Sequence, residues 1–175
     1  MTLELQLQGV SLPDGMTSEM LVQAAARGVS DALQRHFRSR NASSKHREGM
    51  PRSNYWAHVA ASVQTIAKGD IATVLVDHEG VMLHWKGGTV RPVKAKALAI
   101  PIAPEVADTN PREYDSGRTL LALVLRKKKG KAPLLVDKAT GRALWVLLKS
   151  ASIEPDDSVV PPEESLVQAG RDAIM

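Results

Sequence analysis

The sequence predicts an α+β fold: a mixed or antiparallel β-sheet packed against a long N-terminal helix, with a short C-terminal helix. Three observations carry this. Val22, Ala25, Ala26, Val29, Ala32, Leu33 and Phe37 recur at three- and four-residue spacing, which is one narrow apolar stripe of a helix. Ser62–Ile66 and Ile71–Val76 are rich in β-branched residues and flank Lys68-Gly69-Asp70, the pattern of a β-hairpin. Three more strand candidates, 120–125, 134–136 and 143–148, are separated by turn signals at 129–131 and 139–141.

In chain order, Leu3, Leu5 and Leu7 alternate with polar residues, giving a short strand closed by the Pro-Asp-Gly turn at 13–15. Thr17 or Ser18 can cap the helix predicted over 17–38, because either hydroxyl accepts from the unpaired amides of the first turn. The stripe is rich in alanine, so a covering element can approach closely. Residues 39–52 are polar, basic and aperiodic and predict a mobile loop. Ser53 or Asn54 then caps a short helix carrying Trp56, Val59 and Ala60. A competing reading continues that helix to Ile66, since Trp56, Val59, Val63 and Ile66 also fit a helical stripe.

Val81–Trp85 is a short apolar element ending at Gly87-Gly88, and 97–102 reads as a buried strand bounded by prolines. Residues 103–118 have the composition of a long surface loop. Pro161-Pro162 opens a last helix over about 163–174, with Glu163 and Glu164 where they complement the helix dipole. The expected organisation is one α+β domain over 1–160, mobile at about 39–52 and 103–118, then an acidic C-terminal helix or tail at 161–175.

Composition narrows the function classes. The 175 residues include no cysteine, which removes disulfide scaffolds, thiolate zinc sites and thiol catalysis. Aromatic residues are 3% of the chain, too few for a large base-stacking platform. No window reaches the roughly 18 apolar residues of a membrane span, and the first residues lack the pattern of a secretory signal. The net charge of +4 conceals blocks: +5 over 27–52, +4 over 86–96 and +5 over 126–131, against −3 over 1–26 and −5 over 154–175. Such blocks suit solvated loops, contact with DNA phosphates, or pairing between basic and acidic faces of subunits.

Catalytic patterns are weak. The histidines at 36, 46, 58, 78 and 84 form no H-E-x-x-H spacing, and Asp77-His78-Glu79 reads as a solvated turn rather than a metal site. Phosphate-loop, dinucleotide and G-x-S-x-G motifs do not occur. Asp156-Asp157 and Glu163-Glu164 read as solvating or helix-capping charge. An enzyme is the weakest class, in the form of a small hydrolase using histidines, such as His46, His78 and His84, and carboxylates from loops, and no catalytic residue, metal or cofactor is expected.

The run Ser53-Asn-Tyr-Trp-Ala-His-Val-Ala-Ala-Ser-Val, the hairpin to Val76, and His84-Trp-Lys-Gly-Gly-Thr-Val-Arg-Pro-Val-Lys-Ala-Lys-Ala-Leu-Ala-Ile-Pro-Ile carry a family signal. This segment resembles the tailed-phage (prophage) virion morphogenesis proteins, the group that completes the tail or joins it to the head. The resemblance covers about a third of the chain, and its motif is structural: Trp56, Trp85, Gly87, Gly88, Pro92 and Pro101. It implies a non-enzymatic ring component of the virion, possible as a hexamer, assembled in the bacterial host cytoplasm with other phage neck or tail proteins and passing DNA transiently. Candidates for contact with a neighbouring subunit or the DNA channel are Arg35, Arg38, Arg40, Lys45, Arg47, Arg91, Lys94, Lys96, Lys127, Lys128 and Lys129. The alternative is a basic DNA-binding or DNA-packaging accessory protein.

Overall fold

A computed structural model describes residues 2–5 by their backbone, and residues 15, 17–43, 50, 53–117, 120–126 and 130–175. The chain divides into two compact units: residues 1–44, 54–87 and 154–175 form unit 1, and residues 45–53 and 88–153 form unit 2.

Unit 1 is organised by helix α1 (Ser18–Ser43). Thr17 Oγ1 accepts from the Met20 amide at 3.2 Å, which satisfies one of the orphan donors of the first turn. Val22, Ala26, Val29, Leu33 and Phe37 from the expected stripe enter the core. Full burial of a Leu or Phe side chain contributes roughly 1.5–3 kcal/mol, so this stripe is the main thermodynamic reason for the unit. The helix runs five residues past its expected end, into the segment read as a loop. Tertiary contacts account for this: Asn41 Oδ1 accepts from the Ala57 amide at 3.3 Å, and the Arg40 side chain is held by residues 156–158. They outweigh the weak helix preference of Ser and Asn. Residues 44–49 and 51–52 of that expected loop, and the Pro-Asp step of the 13–15 turn, lie outside the described residues.

Helix α2 (Tyr55–Ala61) begins at Asn54, whose side chain makes no capping bond. The hairpin reading holds over the longer helix. Strands β2 (Val63–Lys68) and β3 (Ile71–Val76) pair from Val63↔Val76 to Lys68↔Ile71. Gly69 in the two-residue turn sits at φ +59°, where a side chain would be strained. Strand β1 (Thr2–Leu5) lies antiparallel on the other side of β3, giving the order β1-β3-β2. Central strand β3 sends Ala72, Val74 and Val76 into the core.

Helix α3 (Val81–Lys86) buries Val81 and ends at Gly87, whose φ 71° and ψ 176° are open essentially to glycine alone. Helix α5 (Glu163–Asp172) packs along α1. At Gly28 a Cβ would collide with the Ala169 carbonyl oxygen, so only glycine permits this approach; Gly170 faces Ala25 and Val29 in return. Residues 161–175, expected as an acidic C-terminal helix or tail, contain α5, which buries Leu166 and Gly170.

Unit 2 begins and ends on a two-stranded ladder, β4 (Gly88–Val90) with β9 (Ala151–Ile153), which the sequence reading missed. Its main sheet is antiparallel, in the order β5 (Leu98–Pro101), β8 (Ala143–Leu148), β7 (Leu134–Asp137), β6 (Leu121–Val124). The last three match the expected strands. β5 corrects the expectation of a buried strand: it is a sheet edge, Ile100 is 38% exposed, and Pro101 sits where an edge tolerates the loss of a donor. The segment 103–118 is likewise more than a surface loop. Ala103 and Val106 are buried, and helix α4 (Pro111–Asp115) starts with a capping box in which Asn110 Oδ1 accepts from Glu113 N at 3.0 Å. Tyr114 then sets its ring edge-on to Trp145, with centroids 5.4 Å apart, and its hydroxyl donates to Asp137 Oδ2 at 3.1 Å. Asp137 also accepts from the Thr140 amide and hydroxyl, which hold its carboxyl below the ordinary carboxylate range and close the 137–141 turn.

Candidate interaction surfaces

The sequence-derived candidates separate into cations held internally and cations left at the surface. Arg40 is internal. From Nη2 it donates to Asp156 Oδ2 at 2.7 Å, and from Nη1 to the Ser158 carbonyl at 2.9 Å and the Ser158 hydroxyl at 2.7 Å. The guanidinium also lies 4.5 Å from the centroid of the Trp56 ring. Asp156 accepts from the Ser158 hydroxyl and amide as well, and these bonds together with Arg40 hold its carboxyl at about 2. Arg40 is therefore a clamp between α1 and the 156–158 turn, not a surface contact.

Trp56 continues this cluster. It stacks on Phe37 with centroids 6.0 Å apart and planes 7° from parallel. His84 lies 5.0 Å from the Tyr55 ring and 5.4 Å from Trp56, and burial, with the neighbouring Arg40 charge, pushes its pKa down. A neutral imidazole packed among rings serves structure. His78 Nδ1 donates to the Glu79 carbonyl at 2.7 Å, which ties down the turn at 77–79. Among the described residues no group of three or more His, Cys, Asp or Glu could hold a metal ion. No helix among them is long and apolar enough to cross a membrane.

Arg35 and Arg38 are exposed on α1. Arg38 donates to Gln34 one turn earlier at 3.2 Å, and Arg35 lines a crevice of about 850 Å³ between α1 and α5 that also holds Asp31, Glu164 and Asp172. Arg91, Lys94 and Lys96 are exposed on the bent segment joining β4 to β5. Val93, between them, is 96% exposed. Pro92 and Pro101 are half-buried and line a groove of about 920 Å³ between this ribbon and α4. Trp56 and Trp85 pack on the core of unit 1, and the boundary between units falls between Gly87 and Gly88. Lys45, Arg47, Lys127, Lys128 and Lys129 lie outside the described residues.

Sequence reasoning did not find the second groove on unit 1, of about 540 Å³. Trp85, Val160, Pro161, Pro162, Leu166 and Val167 line it, together with His36 and the exposed acids Asp157 and Glu163. The signal was the Pro161-Pro162 step followed by acids, which turns the chain into α5 and leaves apolar residues beside the carboxylates. The two units also carry opposite charge. Unit 1 has thirteen acids against seven bases, net −6, and unit 2 has sixteen bases against six acids, net +10.

Comparison with protein-family models, curated proteins and solved structures finds no match.

Proposed function

We propose that this chain is a phage structural protein that completes the tail or joins tail to head as a ring-forming neck component of the virion. The observation that carries the reading is the segregation of charge, −6 on one folding unit and +10 on the other. A ring requires heterologous contacts, in which one surface of a subunit meets a different surface of the next, and oppositely charged units supply such a pair. The family resemblance of residues 53–102 points the same way, since its Trp56, Trp85 and Gly87 serve as scaffold. On this reading the chain is not an enzyme and uses no cofactor. Its partners are further copies of itself, as a hexamer by resemblance, and other neck or tail proteins.

The test is to mix the purified protein with phage tail tubes and follow it by light scattering and negative-stain imaging. Rings at the tube ends are expected. A strict monomer that never decorates them overturns the reading. The charge of unit 2 also favours a second reading, a DNA-packaging accessory protein. That reading predicts DNA affinity falling linearly in log–log salt plots, and loss of all binding at low salt would remove it.

A further inference from the structure

The apolar groove of unit 1 and the basic ribbon of unit 2 are complementary in charge, and each exposes apolar surface. The ribbon presents Arg91, Lys94 and Lys96 with no ion pair among the described residues, and between them the almost fully exposed Val93. A branched aliphatic side chain held in water beside three cations has no folding role at that position. The groove presents the converse: an apolar bed that includes Trp85, Val160 and Val167, lined as well by the carboxylates of Asp157 and Glu163. These acids too have no ion pair among the described residues.

We propose that residues 91–96 of one copy dock in the groove between α3, the 157–162 turn and α5 of the next, with Val93 on the apolar bed and the cations facing its acids. This rests on the ring reading and names its interface. The occupant is a second copy because the cations of the ribbon meet the carboxylates of Asp157 and Glu163 in the groove, and because the two surfaces differ. Their pairing is therefore heterologous and can repeat around a closed ring. Apolar contact at the centre with charge at the rim is the usual division of labour at an interface: the centre sets the lifetime, and the rim sets the encounter rate and its salt dependence.

The absence of native cysteine makes the test direct. A Val93→Cys chain and a Val167→Cys chain, mixed on tail tubes under mild oxidation, should form a crosslinked heterodimer, and the double variant should form a ladder of covalent oligomers. Val93→Asp should abolish assembly while leaving the circular dichroism unchanged, since the residue touches nothing that folding needs. Asp157→Lys with Glu163→Lys should slow assembly about tenfold at low salt, and mixing with an Arg91→Glu/Lys94→Glu chain should restore the rate. Rings that form without the crosslink and ignore Val93→Asp overturn the docking and leave the neck reading standing. Neither rings nor crosslink sinks both.

Discussion

Unit 1 and unit 2 bury their apolar residues in different ways. Among the described residues, the core of unit 1 has fourteen buried side chains drawn from four helices, the β2-β3 hairpin and the 157–159 turn, with Phe37, Leu33 and a run of valines at its centre. The core of unit 2 has four, Ala103, Val106, Leu144 and Trp145, of which the Trp is by far the largest. Across its sheet, Ile100, Val146, Leu134 and Val124 form one row by strand register, yet Ile100 and Val124 remain 38% and 41% exposed. A core spread over many mid-sized residues tolerates the loss of any one better than a core gathered around a single ring. The difference predicts that unit 1 is the more robust body, and unit 2, with the smaller core, carries most of the basic charge.

The strongest test of that contrast is Trp145→Ala. It removes the centre of the smaller core and should cost about 3–5 kcal/mol. Hydrogen exchange should show lost protection across β5 to β8 while α1 amides stay protected. Equal loss in α1 would mean that the two units unfold as one.

Gly28→Val probes unit 1 at its tightest contact. The new side chain meets backbone at Ala169, so α1 and α5 must separate. The expected cost is about 1–3 kcal/mol, with early proteolysis in α5 and an unchanged unit 2. Cleavage no faster than in the parent chain would show that the helices slide without penalty.

The smallest effects come from the Arg40 node, and pH sharpens them. The Asp156 carboxyl is held at about 2 from an ordinary 3.8, so its contribution is complete above about pH 4 and is lost as pH falls toward 2. Its side chain is 44% exposed, so the contribution stays below about 1 kcal/mol. Asp156→Asn should flatten this limb of the stability curve; an unaltered curve would show that the bonds to Ser158 and Arg40 do not survive in solution. His84 acts at higher pH with the same sign. Its folded pKa is depressed, so the unfolded chain binds the proton better and stability falls as pH drops below about 6.5. His84→Gln should remove that slope, as denaturant melts at pH 7 and pH 5 would register.

The elements with strong local signals were legible. The stripe of α1, the Gly69 turn, the three strands of the second half and the proline start of α5 all follow from period and turn chemistry within a short window. Helix α4 was read as part of a loop, because the loop composition around it masked the capping box of Asn110 and Glu113. The three-residue strands β4 and β9 were not legible, because they exist only through each other, some sixty residues apart in the chain. The exposure of β5 depended on its place at the sheet edge, which no local pattern encodes. Among the candidate cations, Arg40 looked like its neighbours in the basic run, and only the return of residues 156–158 to α1 separates it from Arg35 and Arg38.

The sequence by itself determined the α+β class, the packing stripe of the first helix and the existence of charge blocks, because these depend on residue type and spacing along a few turns or strands. Tertiary structure decided which blocks belong together. Residues 1–44, 54–87 and 154–175 are distant in sequence and join in one acidic unit, whereas the continuous stretch 88–153 forms most of the basic one. Burial of apolar surface drives that joining. It acts between residues that meet in space whatever their separation in the chain, and so it, rather than the linear order of charges, sets the surfaces the protein offers to a partner.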